Sequence, residues 1–236
     1  MIDPRKRDEE NLRKLIREHG FGEFEEVLMK RARPSIRVET SPVADESELG
    51  IGQSKMGGRP DLPAGVNWPQ IQYSDRLASL SFIAQFNLDE LAEHDAEHLL
   101  PRTGLLYFFA STGSYTGQPN YPKNNGQVLY FDGNKSTLSR HALPYDLSPI
   151  PPDPWEQFRH FYPCAVNLMS EVNLCNTDID ARFPDLETWR RFNGLTYASS
   201  YADPSPPFAP DINRLLGNSY GVPDLSVDCE LAELTG

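Results

Sequence analysis

Leu80-Ser81-Phe82-Ile83-Ala84-Gln85-Phe86 and Gly104-Leu105-Leu106-Tyr107-Phe108-Phe109 are the two runs that decide the fold class. Both are short, apolar at nearly every position and rich in aromatic side chains, the pattern of strands buried on both faces. Gln127-Val128-Leu129-Tyr130-Phe131 repeats it, and Asp132-Gly133-Asn134 offers residues that accept positive φ, so a hairpin turn into Ser136–Leu143 is expected. Between the first two runs, Asn87 can cap a short helix over Leu88–Glu93, and Pro101-Arg102-Thr103-Gly104 turns the chain back. Central antiparallel strands follow from this arrangement.

Working outward, Asp3 and Pro4 open an amphipathic helix in which Leu12, Leu15 and Ile16 recur at helical spacing until His19-Gly20. A second helix is expected at about 22 to 32, with Phe24, Val27 and Leu28 on one stripe, and Pro34 ends it. Ser35-Ile36-Arg37-Val38-Glu39 alternates as a half-buried strand does. Toward the C-terminus come a proline-rich connector (Ser148–Pro154), an alternating run (Cys164–Leu174), a helix near Pro184–Phe192, a proline cluster (Pro204–Pro210), the segment Asn213–Gly217 and the strand-like Val227–Leu231. The expected fold is α+β and mainly β, a roll-like antiparallel sheet with two N-terminal helices. Residues 1–34 form a helical segment packed on a domain of 35–236, one folding unit overall.

Composition narrows the function. Lys and Arg number 22 against 34 Asp and Glu, a net charge of −12 that repels phosphate backbones and anionic lipid. No nucleic-acid or membrane partner is expected. The charged start MIDPRKRDEENLRKL lacks the apolar core of a signal peptide, and no run approaches the about 18 apolar residues of a spanning helix. Cys164, Cys175 and Cys229 make neither an even framework nor a C-x-x-C pair, which fits a reducing, cytoplasmic setting with buried thiols.

Chemical motifs are sparse. His94 and His98 are four apart and could share an ion on a helix face, but the Glu placement of H-E-x-x-H is absent and they read as a solvated pair. His141 and His160 stand alone. Gly113-Ser114-Tyr115-Thr116-Gly117 has Tyr where a nucleophile elbow needs Ser. Neither a phosphate-binding G-x-x-x-x-G-K-[ST] loop nor a strand-anchored G-x-G-x-x-G occurs, so no cofactor and no metal are expected.

The long Gly- and Pro-rich segment from Thr40 to Ser74 is therefore where a site is sought, since connections this long are uncommon unless functional. Gly57 and Gly58 can aim consecutive N–H groups at one point, with Lys55 and Arg59 flanking them, which suits an anion. The structural alternative is a Gly-Gly turn followed by a proline-stiffened crossing that lays Trp68 over the sheet. Asp61 and the Gln85 amide are candidate polar partners. The ligand-binding candidates are Lys55, Gly57, Gly58, Arg59, Asp61, Trp68 and Gln85, with the loop lying against the strand that carries Gln85.

The ordered combination Ser54-Lys55-x-Gly57-Gly58-x-Pro60-x-Leu62-Pro63 with Trp68-Pro69, then Leu80-x-Phe82-Ile83-Ala84-Gln85-Phe86-x-Leu88, then Leu100-Pro101-x-x-Gly104-x-Leu106-x-Phe108-Phe109 resembles the YwqG-like family, a bacterial family of unknown function. Arg214-Leu215-Leu216-Gly217 is similar to its later leucine-glycine segment. The resemblance implies a mainly β roll and carries over no catalytic residue. Relatives near toxin and immunity genes imply a protein-binding, accessory or immunity-like role. The family's usual closing strand motif is not matched before Gly236, so an open sheet edge and a homodimer through it are expected.

The function expected from all of this is a non-catalytic binding module for a protein or a small anionic ligand. The alternative is a metal-independent hydrolase or transferase that draws on Asp61, His141 and Asp228, with its pocket near the 54–69 loop.

Overall fold

Strands dominate, as the apolar runs require, and two helices precede them. The structure, a computed structural model, describes residues 4–73, 76–111, 126–149, 159–174, 187–188, 190–192, 194–195 and 213–217. The Gly113–Gly117 string, Cys175, Cys229, the proline cluster at 204–210 and the run Val227–Leu231 lie outside the described residues, as do parts of the 148–154 connector and of the helix near 184–192. The helices are α1 (Pro4–Glu18), α2 (Glu25–Arg31) and α3 (Leu88–Leu91). The strands are β1 (Arg33–Pro42), β2 (Lys55–Met56), β3 (Asp61–Pro63), β4 (Gln70–Tyr73), β5 (Arg76–Ser79), β6 (Ser81–Asn87) and β7 (Leu105–Ala110). After them come β8 (Gly126–Phe131), β9 (Leu138–Arg140), β10 (Ser148–Pro149), β11 (Arg159–His160), β12 (Cys164–Asn173) and β13 (Asn213–Leu216). The largest sheet has the order β13-β1-β12-β2-β6-β7-β8, and each of its described registers is antiparallel. The fold is α+β and mainly β.

By its contacts the chain divides into two compact units, described in turn. The first comprises 1–39, 94–97 and 168–236. Its core gathers Leu12, Ile16, Phe21, Leu28, Val172, Leu174, Phe192 and Leu195, with Phe21 and Phe192 edge to face at 5.7 Å. Glu25 ties α1 to α2, accepting from Arg17 Nε at 2.5 Å and Arg13 Nη1 at 2.8 Å. These two guanidiniums hold its carboxyl at about 2, well below the usual range. The expected stripe of α2 is corrected: Leu28 is buried, but Phe24 and Val27 face solvent. Residues 22–24 form a 3₁₀ turn, which breaks the helical phase that would have aligned Phe24 with Leu28.

The second unit comprises 40–93 and 98–167. Here β6 and β7 pair along most of their lengths, and Leu105, Tyr107 and Phe109 point into a core shared with Leu62, Leu80, Phe82, Leu138 and Leu147. Asn87 caps α3 as expected, its side chain accepting from the Asp89 amide at 3.2 Å. The hairpin expected after β8 does not form. Asn134 instead caps a 3₁₀ turn by accepting from the Ser136 amide at 2.9 Å, and the following β9 pairs with β3. A side-chain cap competes directly with the positive-φ turn that these residues also favour, and here the cap prevails.

Candidate functional site

The segment rich in Gly and Pro is built from three short strands and the turns between them. β2 places Lys55 opposite Gln85 of β6, and β3 places Asp61 opposite Arg140 of β9. Between them Gly57 and Gly58 adopt φ of 65° and 69°, the left-handed region that side chains resist. Their amides donate to the carbonyls of Ile83 and Phe161, each at 2.8 Å. A Cβ on Gly57 would lie 2.1 Å from the Tyr162 carbonyl oxygen. The glycines thus permit a close backbone crossing, and their N–H groups are already engaged.

At the centre lies a buried polar cluster. The Lys55 and Asp61 side chains are fully buried and face each other, Nζ to Oδ1, at 3.6 Å. Lys55 Nζ also donates to the Arg59 carbonyl at 2.6 Å and to Glu46 Oε1 at 3.1 Å. Asp61 Oδ2 accepts from the Gly52 amide at 3.0 Å and from Gln85 Nε2 at 2.8 Å, while Oδ1 accepts from Arg140 Nε at 2.9 Å. Arg140 donates further to the carbonyls of Glu46 and Leu49. Glu46 accepts from the Arg59 amide at 2.6 Å and from Arg59 Nε at 2.9 Å. Tyr107 donates its hydroxyl to the Asp61 carbonyl at 2.7 Å.

The electrostatics follow from this enclosure. Burial pulls the Lys55 ammonium below its ordinary range, against the opposing charges of Asp61 and Glu46. Burial also pushes Glu46 upward, but the Arg59 and Lys55 donors outweigh it and its carboxyl lies below the ordinary value. The Tyr107 phenol is raised well above its usual range by burial, with the Asp61 charge adding to the effect. His160 is lowered, again chiefly by burial. Each charged group meets fixed partners, so the cluster resembles a joint more than a reactive centre with an open coordination position.

Of the candidates read from the sequence, Lys55, Gly57, Gly58, Asp61 and Gln85 come together in this buried joint. Arg59 lies at its rim with its side chain 44% exposed. Trp68 lies edge to face on Phe109 at 5.4 Å and donates Nε1 to the Leu80 carbonyl at 2.8 Å, covering the core. His94 and His98 are not on a helix: His94 Nδ1 is 3.1 Å from Ser170 Oγ, and His98 contacts Arg102. The His141 amide donates to the Pro60 carbonyl, and Asp228 lies outside the described residues. The Cys164 thiol is half-buried and raised by burial.

Glu46, Arg140 and Tyr107 were missed. Arg140 carried one usable signal, a lone arginine in a run expected to pair centrally, where an unpaired cation is costly. Among the described residues, no group of three or more His, Cys, Asp or Glu is placed to hold a metal. Among them too, no helix is long and apolar enough to cross a membrane.

No curated protein matches the chain. A family model, described as Domain of unknown function (DUF1963), matches residues 54–212, from the residue before Lys55 through β2 to β12. With about two thirds of its 236 residues covered by that model, the chain belongs to the DUF1963 family.

Proposed function

We infer that the protein is a non-catalytic binding module with a protein partner. The observation that carries this reading is the saturation of the buried joint. Lys55 and Asp61, the groups best suited to acid, base or nucleophile work, are fully buried and already engaged by fixed partners. In this reading Lys55, Gly57, Gly58, Asp61 and Gln85 hold the loop in one shape, and Arg59 and Trp68 are the parts a ligand can reach. The fuller assignment, a bacterial and cytoplasmic protein of YwqG-like type, rests on the motif order from Ser54 to Phe109 and on the odd cysteine count.

The partner we assign is a second copy of the chain, met along β8. Among the described residues β8 is an outermost strand of the large sheet. On its outer face Val128 is 56% and Tyr130 48% exposed, beside half-buried Phe108 and Leu106 of β7. The strand Gly126-Gln-Val-Leu-Tyr-Phe131 carries no charge and no proline, so it lacks the usual devices that block edge pairing. Two copies at −12 repel each other, and an uncharged strand is where that repulsion costs least.

Sedimentation equilibrium across a concentration series tests this. The expected result is a dimer that Val128→Glu weakens by about tenfold or more, or ~1.4 kcal/mol. A wild-type chain that stays monomeric at high concentration would refute self-association.

A further inference from the structure

In the first unit, β1 and β13 pair so that Arg37 lies directly opposite Arg214. Like charges facing each other across a sheet repel, and one carboxylate, Glu171 of β12, mediates between them. Its Oε2 accepts from Arg37 Nε at 2.7 Å and lies 2.6 Å from Arg37 Nη2. Its Oε1 accepts from Ser35 Oγ at 3.1 Å and from Arg214 Nε. Each carboxylate oxygen thus serves two donors. The side chains are 14% (Arg37), 9% (Glu171) and 9% (Arg214) exposed, so among the described residues two largely enclosed cations share one anion. Arg214 Nη2 is buried and has no hydrogen-bond partner among the described residues.

A buried guanidinium nitrogen with an unmade hydrogen bond, beside a second cation that shares its counter-charge, is costly, and an oxyanion relieves both defects at once. We propose that the Arg37–Glu171–Arg214 cluster is a binding site for a small oxyanion, a carboxylate or phosphate group, held by Arg214 Nη2. Glu171 already takes the Nε prong of the guanidinium fork, and the incoming group takes the other. The strand end that carries Arg214 is held firmly: Gly217 has φ +77°, and a Cβ there would lie 2.5 Å from Ser35 Cβ and 2.6 Å from Asn173 Oδ1. The donor is therefore preorganised, which favours binding. The site belongs to the first unit and does not depend on the binding-module reading.

Equilibrium dialysis of the full chain against labelled inorganic phosphate and, separately, acetate at fixed ionic strength reads the stoichiometry. Saturable uptake approaching one anion per chain is expected, weakened by about tenfold or more in Arg214→Lys, which keeps the charge and loses the fork. Uptake of phosphate alone identifies a phosphate-type ligand, and uptake of acetate a carboxylate. Because the variant could fail to fold, wild-type crystals grown with arsenate give a second readout, an anomalous peak beside Arg214. The proposal is overturned by no uptake of either anion in wild type, by equal uptake in a folded Arg214→Lys chain, or by arsenate located elsewhere.

Discussion

Asp61→Asn is the most informative single change in the second unit. The substitution keeps shape and volume but turns one carboxylate oxygen into an NH₂ group. If that group takes the Oδ2 place, it faces the Gly52 amide at 3.0 Å and Gln85 Nε2 at 2.8 Å, both donors. If it takes the Oδ1 place, it faces Arg140 Nε at 2.9 Å and Lys55 Nζ at 3.6 Å, again donors. Neither orientation satisfies the site, and in both Lys55 and Arg140 are left with Glu46 as their remaining counter-charge in the cluster. Removing one partner of a buried ion pair costs about 3–5 kcal/mol, a large share of the about 5–15 kcal/mol that stabilises a typical protein. Urea unfolding followed by Trp68 fluorescence, in a Trp155→Phe, Trp189→Phe background, measures the loss in the second unit. Lys55→Met removes the facing cation, and combined with Asp61→Asn it should cost less than the two single changes added together. A loss below about 1 kcal/mol for Asp61→Asn would show that the cluster is loosely solvated, and would refute the argument from burial.

Two further outcomes are expected. Gly57→Ala should destabilise by about 2 kcal/mol or more, since it meets both a left-handed φ and the Tyr162 carbonyl, while Gly65→Ala, with φ +85° and open space around it, should cost about 1 kcal/mol; parallel thermal melts compare them. The Glu25 carboxyl, depressed to about 2 by Arg17 and Arg13, contributes stability that is fully present above its ordinary 4.5 and fades as pH falls toward 2. The gap in melting temperature between wild type and Glu25→Gln should therefore close across that window, and a constant gap would count against the ion pairing.

The strands β6 and β7 were legible because their sequences hold one apolar character from end to end, which leaves little competing choice, although Leu106 and Phe108 of β7 are only half-buried. Asn87 was legible as a cap for a similar reason: its role is settled two residues away, at the Asp89 amide. Arg140 was not, because its meaning depends on β9 pairing with β3 across 79 residues, and local pattern carries no trace of that register. Asp132-Gly133-Asn134 failed more narrowly, since a hairpin turn and an Asn-capped 3₁₀ turn draw on the same residue types. In the long segment, Gly57 and Gly58 were legible as a turn, but their amides do not converge on one point: they donate to two separate carbonyls. What that turn serves was not visible, because Ile83 and Phe161, which accept their amides, are remote in sequence.

Gln85 stands where four stretches of chain meet. Its Oε1 accepts from the Asp61 amide and its Nε2 donates to the Gln53 carbonyl, so the side chain bridges two backbone segments much as an extra peptide group would. The sequence separations closed there run from nine, Gly52 to Asp61, to 94, Glu46 to Arg140. Chain entropy makes such junctions slow to assemble, because no part of the junction is rewarding until distant segments arrive together. The joint therefore belongs to the late stage of folding, and damage to it should appear mainly as faster unfolding, with refolding rates little changed. A protein with this arrangement is held by a latch that closes last.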